Sequence, residues 1–283
     1  MSLLLVNQVL AVLGTDSVAI VRRTLGLRRR IVDQKQVHFP KQVDDSNTDK
    51  VIWQPAIHQL DILINAMKVK SKSQLNITLA SDFVRYLALP PQPLYMNAAE
   101  KIAYATAAYR EIYGSVVDEW EVRLQDTPMH DTTIVAAIDK RLLETLNQVA
   151  LKYQLKLITV KPYLMSAFNN LTKQIGRSSG YLVIVEFKRL LLINLQQGKC
   201  VNVRMFNLGS DWQAELKSLM VRESVLSESN TSESKTRENK EILVYAPVQK
   251  NIVINSIEGW QLKRISTLSK LSNYHFAMLE VAL

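Results

Sequence analysis

One order of elements occurs twice along this chain, and that duplication restricts the fold more than any other feature. Residues 3–13, 17–25 and 29–39 read as three strands, separated by Gly14-Thr15-Asp16 and by a turn at Gly26. Tight, glycine-marked connections of this kind favour an antiparallel meander. Past a polar loop from Pro40 to Lys50, Trp53, Ile57, Leu60, Ile64 and Met67 recur at helical spacing, one apolar stripe on an amphipathic helix. Leu75 to Leu89 returns to strand character and closes at Pro90-Pro91-Gln92-Pro93. After Gly176-Arg177-Ser178-Ser179-Gly180 the order begins again. Tyr181 to Glu186, Leu190 to Leu195 and Cys200 to Asn207 read as a second meander. Asp211 then caps a helix carrying Trp212, Leu216 and Leu219, and Ile242 to Ala246 is a strand. The pattern predicts a duplicated α/β domain of mixed sheets flanked by helices, with a first lobe over 1–160 and a shorter second lobe over 161–283.

The segment between the two copies is patterned as well. Asn97 caps a helix with Glu100 three residues on, an inner face of Ile102, Ala105, Tyr109 and Ile112, and an end at Gly114. Strands are expected over 116–124, 133–138 and 155–160. Asp139 caps a helix with the stripe Leu142, Leu146, Val149 and Tyr153, and Leu164, Phe168, Leu171 and Ile175 line another that stops at Gly176. Residues 227–240 carry no large apolar side chain, which predicts a flexible loop, and Tyr274 to Leu283 is expected to close the second sheet.

Composition agrees with a globular α/β chain. At 283 residues it can bury roughly three quarters of its unfolded surface. An aromatic content of 7%, with 8 Gly and 8 Pro, argues against a turn-rich all-β architecture. Cys200 is the single cysteine, which excludes an intrachain disulfide and a thiolate metal cage. The apolar start at Met1 lacks a basic leader and a cleavage site, and its uncharged run ends at Asp16, short of the ~20 residues that cross a bilayer. It reads as a buried first strand of a cytoplasmic protein.

Actin-like (ribonuclease-H-like) ATPases share the duplicated order and hold nucleotide between the halves, using two hairpins of type Asp-x-Gly-Ser/Thr. The aspartate holds hydrated magnesium and the glycine opens the backbone to phosphate. Here Val12-Leu13-Gly14-Thr15 keeps glycine and threonine but puts valine at the carboxylate position. Ile184-Val185-Glu186 stands where the second Asp-x-Gly belongs, and Leu243-Val244-Tyr245-Ala246-Pro247 has no glycine pair for the adenosine. Valine cannot ligate magnesium, and Glu186 would face phosphate with negative charge. The expectation is therefore no cofactor and no ATP hydrolysis, with Asp16 as the residual carboxylate if the register shifts. No phosphate-loop, nucleophile-elbow or zincin motif is present. The four histidines are scattered, His130-Asp131 reads as a solvated turn and Cys200 as a buried strand residue.

Leu79-Ala80-Ser81-Asp82-Phe83-Val84-Arg85-Tyr86-Leu87-Ala88-Leu89-Pro90 resembles a strand-turn-strand of PilM-like pilus assembly proteins and of the L proteins of type II secretion platforms. Asp118-Glu119-Trp120-Glu121-Val122-Arg123-Leu124 is similar to a later strand of that group. So is Val160-Lys161-Pro162-Tyr163-Leu164-Met165-Ser166-Ala167-Phe168-Asn169, a strand-to-helix step. The resemblance implies an actin-like cytoplasmic scaffold, peripheral to the inner membrane, that binds the short tail of a single-span membrane protein. The motifs are fold-defining rather than catalytic, and they carry over no peptide-groove residue.

The charge of +9 favours an anionic partner. Arg22, Arg23, Arg28, Arg29 and Arg30 cluster around Leu25-Gly26-Leu27, either as a solvated hairpin edge that resists strand pairing or as a contact for an acidic tail or an anionic membrane surface. Two other classes compete with the scaffold: a nucleotide-binding actin-like ATPase or kinase, and a nucleic-acid-binding ribonuclease-H-like protein. The latter needs clustered carboxylates for two metals, whereas Asp33, Glu119, Glu121 and Glu186 are dispersed, so nucleic acid is not the expected partner.

Overall fold

Near-continuous apolar residues over 9–13 and 18–21 commit the first two strands to burial on both faces. In the computed structural model, β1 (Val6–Leu13), β2 (Ser17–Leu25) and β3 (Arg30–His38) form an antiparallel meander with Val12 opposite Ala19 and Val18 opposite Val37. The structure describes residues 6–25, 30–40, 51–92, 96–125, 127–128, 130–186, 188–209, 211–229, 241–247, 249, 256–257, 259–266, 278–279 and 282. Helix α1 (Gln54–Ala66) crosses back over the meander and delivers β4 (Gln74–Leu79) parallel to β1.

Residues 84–139 form a separate small sheet. It contains β5 (Val84–Leu89), helix α2 (Ala98–Tyr113), β6 (Trp120–Leu124) and β7 (Thr133–Asp139), with strand order β5-β7-β6. Helix α3 (Lys140–Lys152) then returns the chain to the first sheet as β8 (Lys156–Pro162), which completes the order β3-β2-β1-β4-β8. After α4 (Tyr163–Ile175), the second sheet repeats the plan with β9 (Gly180–Val185), β10 (Arg189–Gln196), β11 (Lys199–Asn207), α5 (Trp212–Ser229) and β12 (Glu241–Tyr245). A hairpin of β13 (Ser256–Ile257) and β14 (Trp260–Arg264) follows, giving β11-β10-β9-β12-β14-β13.

The period of two sorts the first sheet's side chains between two cores. Val9, Ala11, Leu13, Val18 and Ile20 pack under α1 and α3 with Leu60, Ile64, Leu142 and Leu146. Leu10, Val12, Ala19 and Val21 face the other way and share one cluster with Tyr163 and Leu171 of α4, Leu182 and Ile184 of β9, and Tyr245 of β12. A sheet covered on both faces needs near-continuous apolar strands, which is why β1 shows almost no polar alternation.

Several expectations are corrected. Residues 75–89 are not one strand region: β4 and β5 belong to different sheets, split by a 3-10 turn over Ser81–Phe83. Strand β6 starts at Trp120, because a 3-10 turn occupies Gly114–Glu119. Ala105 and Tyr109 are buried as expected, but Ile102 and Ile112 are exposed, because α2 covers only a three-stranded sheet and its buried stripe is narrow. Of the loop expected over 227–240, residues 227–229 belong to α5, and 230–240 lie outside the described residues. The second sheet is closed beyond β12 by β14 and β13 rather than by Tyr274 to Leu283. Of that segment Met278 and Leu279 form a short helical turn buried against the inter-sheet cluster, Ala282 packs against it, and the rest lies outside the described residues.

Candidate functional site

The two meander turns approach one another at the end of the sheets where β1 and β9 finish. Gly14 closes the first turn by donating its N–H to the Ser17 carbonyl at 2.8 Å, and a Cβ there would lie 3.3 Å from that oxygen, so a larger residue crowds the turn. Thr15 is buried. Asp16 accepts from the Ser17 hydroxyl at 3.3 Å and lies 4.0 Å from Lys188 Nζ, which is carried by the second turn. Val12 and Ile184, at 4% and 0% exposure, are both part of the inter-sheet apolar cluster.

Glu186 directly follows β9, and its N–H closes the second turn on the Arg189 carbonyl at 2.9 Å. Its carboxylate reaches across to the first half of the chain. It accepts from the Ser81 N–H at 2.9 Å and from the Ser81 hydroxyl at 2.5 Å, at the start of the 3-10 turn. That N–H has no partner within its own turn, and the carboxylate satisfies it. Glu186 is 2% exposed. Burial pushes its carboxyl up to about 7, with the Asp82 charge adding to the rise while the Ser81 donors and Arg189 oppose it. Tyr86 stands 3.4 Å from the Ser81 hydroxyl, its own phenol raised by burial and by Glu186. Three residues beyond Glu186, Arg189 Nε donates to Asp82 Oδ1 at 2.8 Å in a largely buried ion pair, and Arg189 also meets Asn207. Three consecutive links (Glu186 to Ser81, Lys188 to Asp16, Arg189 to Asp82) thus join the second turn to the first half of the molecule.

Sequence reasoning singled out Val12, Gly14, Thr15, Ile184 and Glu186, and the structure brings the two turns carrying them together. It did not find Ser81, Asp82, Lys188 or Arg189. Ser81-Asp82 after a strand signals a turn, but no local pattern says which distant carboxylate the turn receives. Among the described residues no group of three or more His, Cys, Asp and Glu is placed to hold a metal. His130 is exposed, and its neighbour Asp131 pairs with Lys199 at 2.7 Å, tying the small sheet's loop to β11. Cys200, expected to be buried, is half-buried at the start of β11, and the desolvation of its thiol pushes it up to about 12.

The arginine group is divided. Arg22 and Arg23 point to opposite faces of β2. Arg23 is buried, with Nε donating to Gln8 Oε1 at 2.7 Å, and Arg22 is half-buried on the α1 side. Arg30 is exposed at the start of β3, and Arg28 and Arg29 lie outside the described residues. Two concavities lie elsewhere. A groove of about 480 Å³ between α1 and α3 is floored by Trp53, Ile57 and Val149 and crossed by the Lys152–Asp61 pair. A cavity of about 200 Å³ at the outer end of the small sheet is lined by Leu89, Met96, Tyr104, Leu124 and Pro128.

Two meander-based sheets of matching strand order, packed around a common apolar layer and carrying a small inserted sheet, make this an actin-like α/β fold. No protein-family model matches the chain, and no curated protein matches its sequence. Solved structures do match. The cytoplasmic domain of EpsL, an inner membrane component of the type II secretion system of Vibrio cholerae, aligns with a TM-score of 0.55 at 10% identity, over 98% of this chain and 94% of that one. The PilM–PilN type IV pilus biogenesis complex aligns with a TM-score of 0.64 at 12% identity, over 97% of each chain. A Bacteroides thetaiotaomicron protein of actin-like ATPase fold and unknown function gives 0.55 at 12% identity, over 97% of this chain and 95% of that one. At these identities the likeness is one of fold.

Proposed function

We propose that this chain is a non-catalytic assembly protein of a type IV pilus or type II secretion inner-membrane platform. In this reading it sits on the cytoplasmic side, peripheral to the membrane, and docks the cytoplasmic tail of a single-span membrane protein. Its two lobes divide near residue 160. The observation that carries the proposal is the use made of the crevice between the turns. Glu186, at the position where an actin-like enzyme needs a bare backbone, spends both carboxylate oxygens on Ser81. The residues there do not fit a magnesium nucleotide. Val12 has no donor atom and is packed in apolar surroundings, Asp16 sits beside Lys188, and Glu186 places a carboxyl where phosphate would lie.

Docking is supported by fold likeness over nearly the whole chain to an inner membrane component of a secretion system and to a pilus biogenesis complex of two proteins. The groove between α1 and α3 and the cavity beside α2 offer apolar floors with polar rims, the surface type that takes an extended or helical segment of a partner. Calorimetry tests both halves. The expected result is a saturable heat with the cytoplasmic tail peptide of a single-span protein encoded alongside, and none with magnesium and ATP. Micromolar, magnesium-dependent ATP binding overturns the non-catalytic half, and failure of the tail to bind overturns the docking half.

A further inference from the structure

Strand directions gather the starts of β1, β3, β4 and β8 and the ends of β2, α1 and α3 at one end of the first sheet. Gln8 is paired with Arg23 and Gln74, Gln74 with Lys156, and Thr24 with Arg30. This end is opposite the one that holds Gly14, Ser81 and Glu186. Five cations from three separate segments meet there: Arg30 on β3, Lys68, Lys70 and Lys72 between α1 and β4, and Lys156 on β8. All five are exposed. None pairs with a described carboxylate, whereas elsewhere Arg110 pairs with Asp118, Arg141 with Asp139, Lys188 with Asp16 and Lys199 with Asp131. Of the described carboxylates near this end, Asp61 is held by Lys152 and Asp33 is half-buried.

A second observation points the same way. Four described residues other than glycine adopt positive φ, and three of them are here: Lys68 at 45°, Lys72 at 62° and Gln154 at 53°. Glycine takes this conformation freely, and a lysine takes it at a cost. The C-terminus of α1 favours a cation and accounts for Lys68. It does not account for Lys70, Lys72 or Lys156.

The row runs from β3 to β8 across five strands of one sheet, about 20 Å along its end. Ile31 and Val32, exposed at 41% and 49%, stand beside Arg30. Cations mixed with exposed aliphatic side chains suit the headgroup boundary of a bilayer. A single-stranded nucleic acid needs aromatic platforms, and the ring at this end, Tyr153, packs on the α1–α3 core with its hydroxyl donating to the Asp61 carbonyl. We propose that this end of the first sheet is a docking surface for anionic lipid headgroups, which orients the protein with the Glu186 end turned away from the bilayer. The inference shares only a membrane setting with the assembly reading, and its test needs no partner tail.

The test is co-sedimentation of the full chain with vesicles of phosphatidylcholine mixed equally with phosphatidylglycerol, against vesicles of phosphatidylcholine alone. Binding is expected to the anionic vesicles only and to fade as salt screens the surface. Each cation near an acidic surface is worth about fivefold in affinity, so Lys68→Gln/Lys70→Gln/Lys72→Gln is expected to lose about a hundredfold. Lys72→Gly separates docking from folding, because it weakens vesicle binding while thermal stability holds or rises. Lys173→Gln/Lys217→Gln, on exposed helix positions elsewhere, keeps wild-type binding. Wild-type protein that stays in the supernatant at low salt overturns the proposal, as does an equal loss in the two multiple variants. Capture of a random single-stranded oligonucleotide through the same lysines, without vesicle binding, makes the face a nucleic-acid surface instead.

Discussion

At the scale of single residues, Glu186 concentrates the unusual chemistry of this molecule. Its carboxyl is raised to about 7 in the folded chain, chiefly by burial, from an ordinary value of 4.5. The groups facing it are Ser81, Tyr86, Asp82 and Arg189. A folded pKa above the unfolded one means that the folded state binds more protons between those values. The contribution of this group to stability is therefore fully present below about 4.5 and is lost as pH rises through about 7. Urea titrations across that window are expected to show this fall, of order 1–3 kcal/mol. Glu186→Gln, which keeps an acceptor for Ser81 and cannot ionise, is expected to flatten it and to be the more stable form at pH 8. A variant that follows wild type through the whole window removes Glu186 as the cause. The residue itself was visible in the sequence, as a carboxylate at the close of the apolar run Tyr181 to Glu186. Its donor was not, because Ser81 is 105 residues away.

At the scale of elements, local signals located most helices and strands and failed where burial depends on what lies opposite. The start of α2 is a reciprocal capping box: Asn97 Oδ1 accepts from the Glu100 N–H at 3.0 Å, and Glu100 Oε2 accepts from the Asn97 N–H at 2.8 Å. Asn97→Ala is expected to lower unfolding free energy by about 1 kcal/mol in chemical denaturation, with the remainder of the fold unchanged. An effect within error would mean that packing of Tyr109, whose hydroxyl donates to the Arg85 carbonyl at 2.7 Å, alone sets the helix in place. The same helix shows where periodicity misleads. Ile102 and Ile112 satisfy a helical stripe with Ala105 and Tyr109, yet they lie to either side of the strip that a three-stranded sheet can cover. Strand β14 was missed for the converse reason. Trp260 to Arg264 alternates too weakly to announce a strand, and its place is set by the free edge of β12.

At the scale of the whole molecule, the apolar layer between the sheets decides what the crevice above it can become. Val12 and Ile184 belong to that layer together with Tyr163 and Tyr245, so an acid placed at Val12 would enter apolar surroundings. Val12→Asp is expected to destabilise the fold by roughly 3–5 kcal/mol through a buried, unpaired carboxyl. It is expected to confer no magnesium-dependent ATP binding in calorimetry. A well-folded Val12→Asp protein that binds the nucleotide would overturn this expectation. By itself the sequence determined the repeated meander, helix and strand, and the caps at Asn97, Asp139 and Asp211. Those features are written in periods of two and of 3.6 and in neighbours a few positions apart. Only the tertiary structure decided that Glu186 meets Ser81, that Arg23 turns inward while Arg30 stays out, and that lysines from distant segments line one end of a sheet. Each of these depends on how strands are ordered and how two sheets face one another, and side-chain alternation along a strand carries no record of which strand lies beside it.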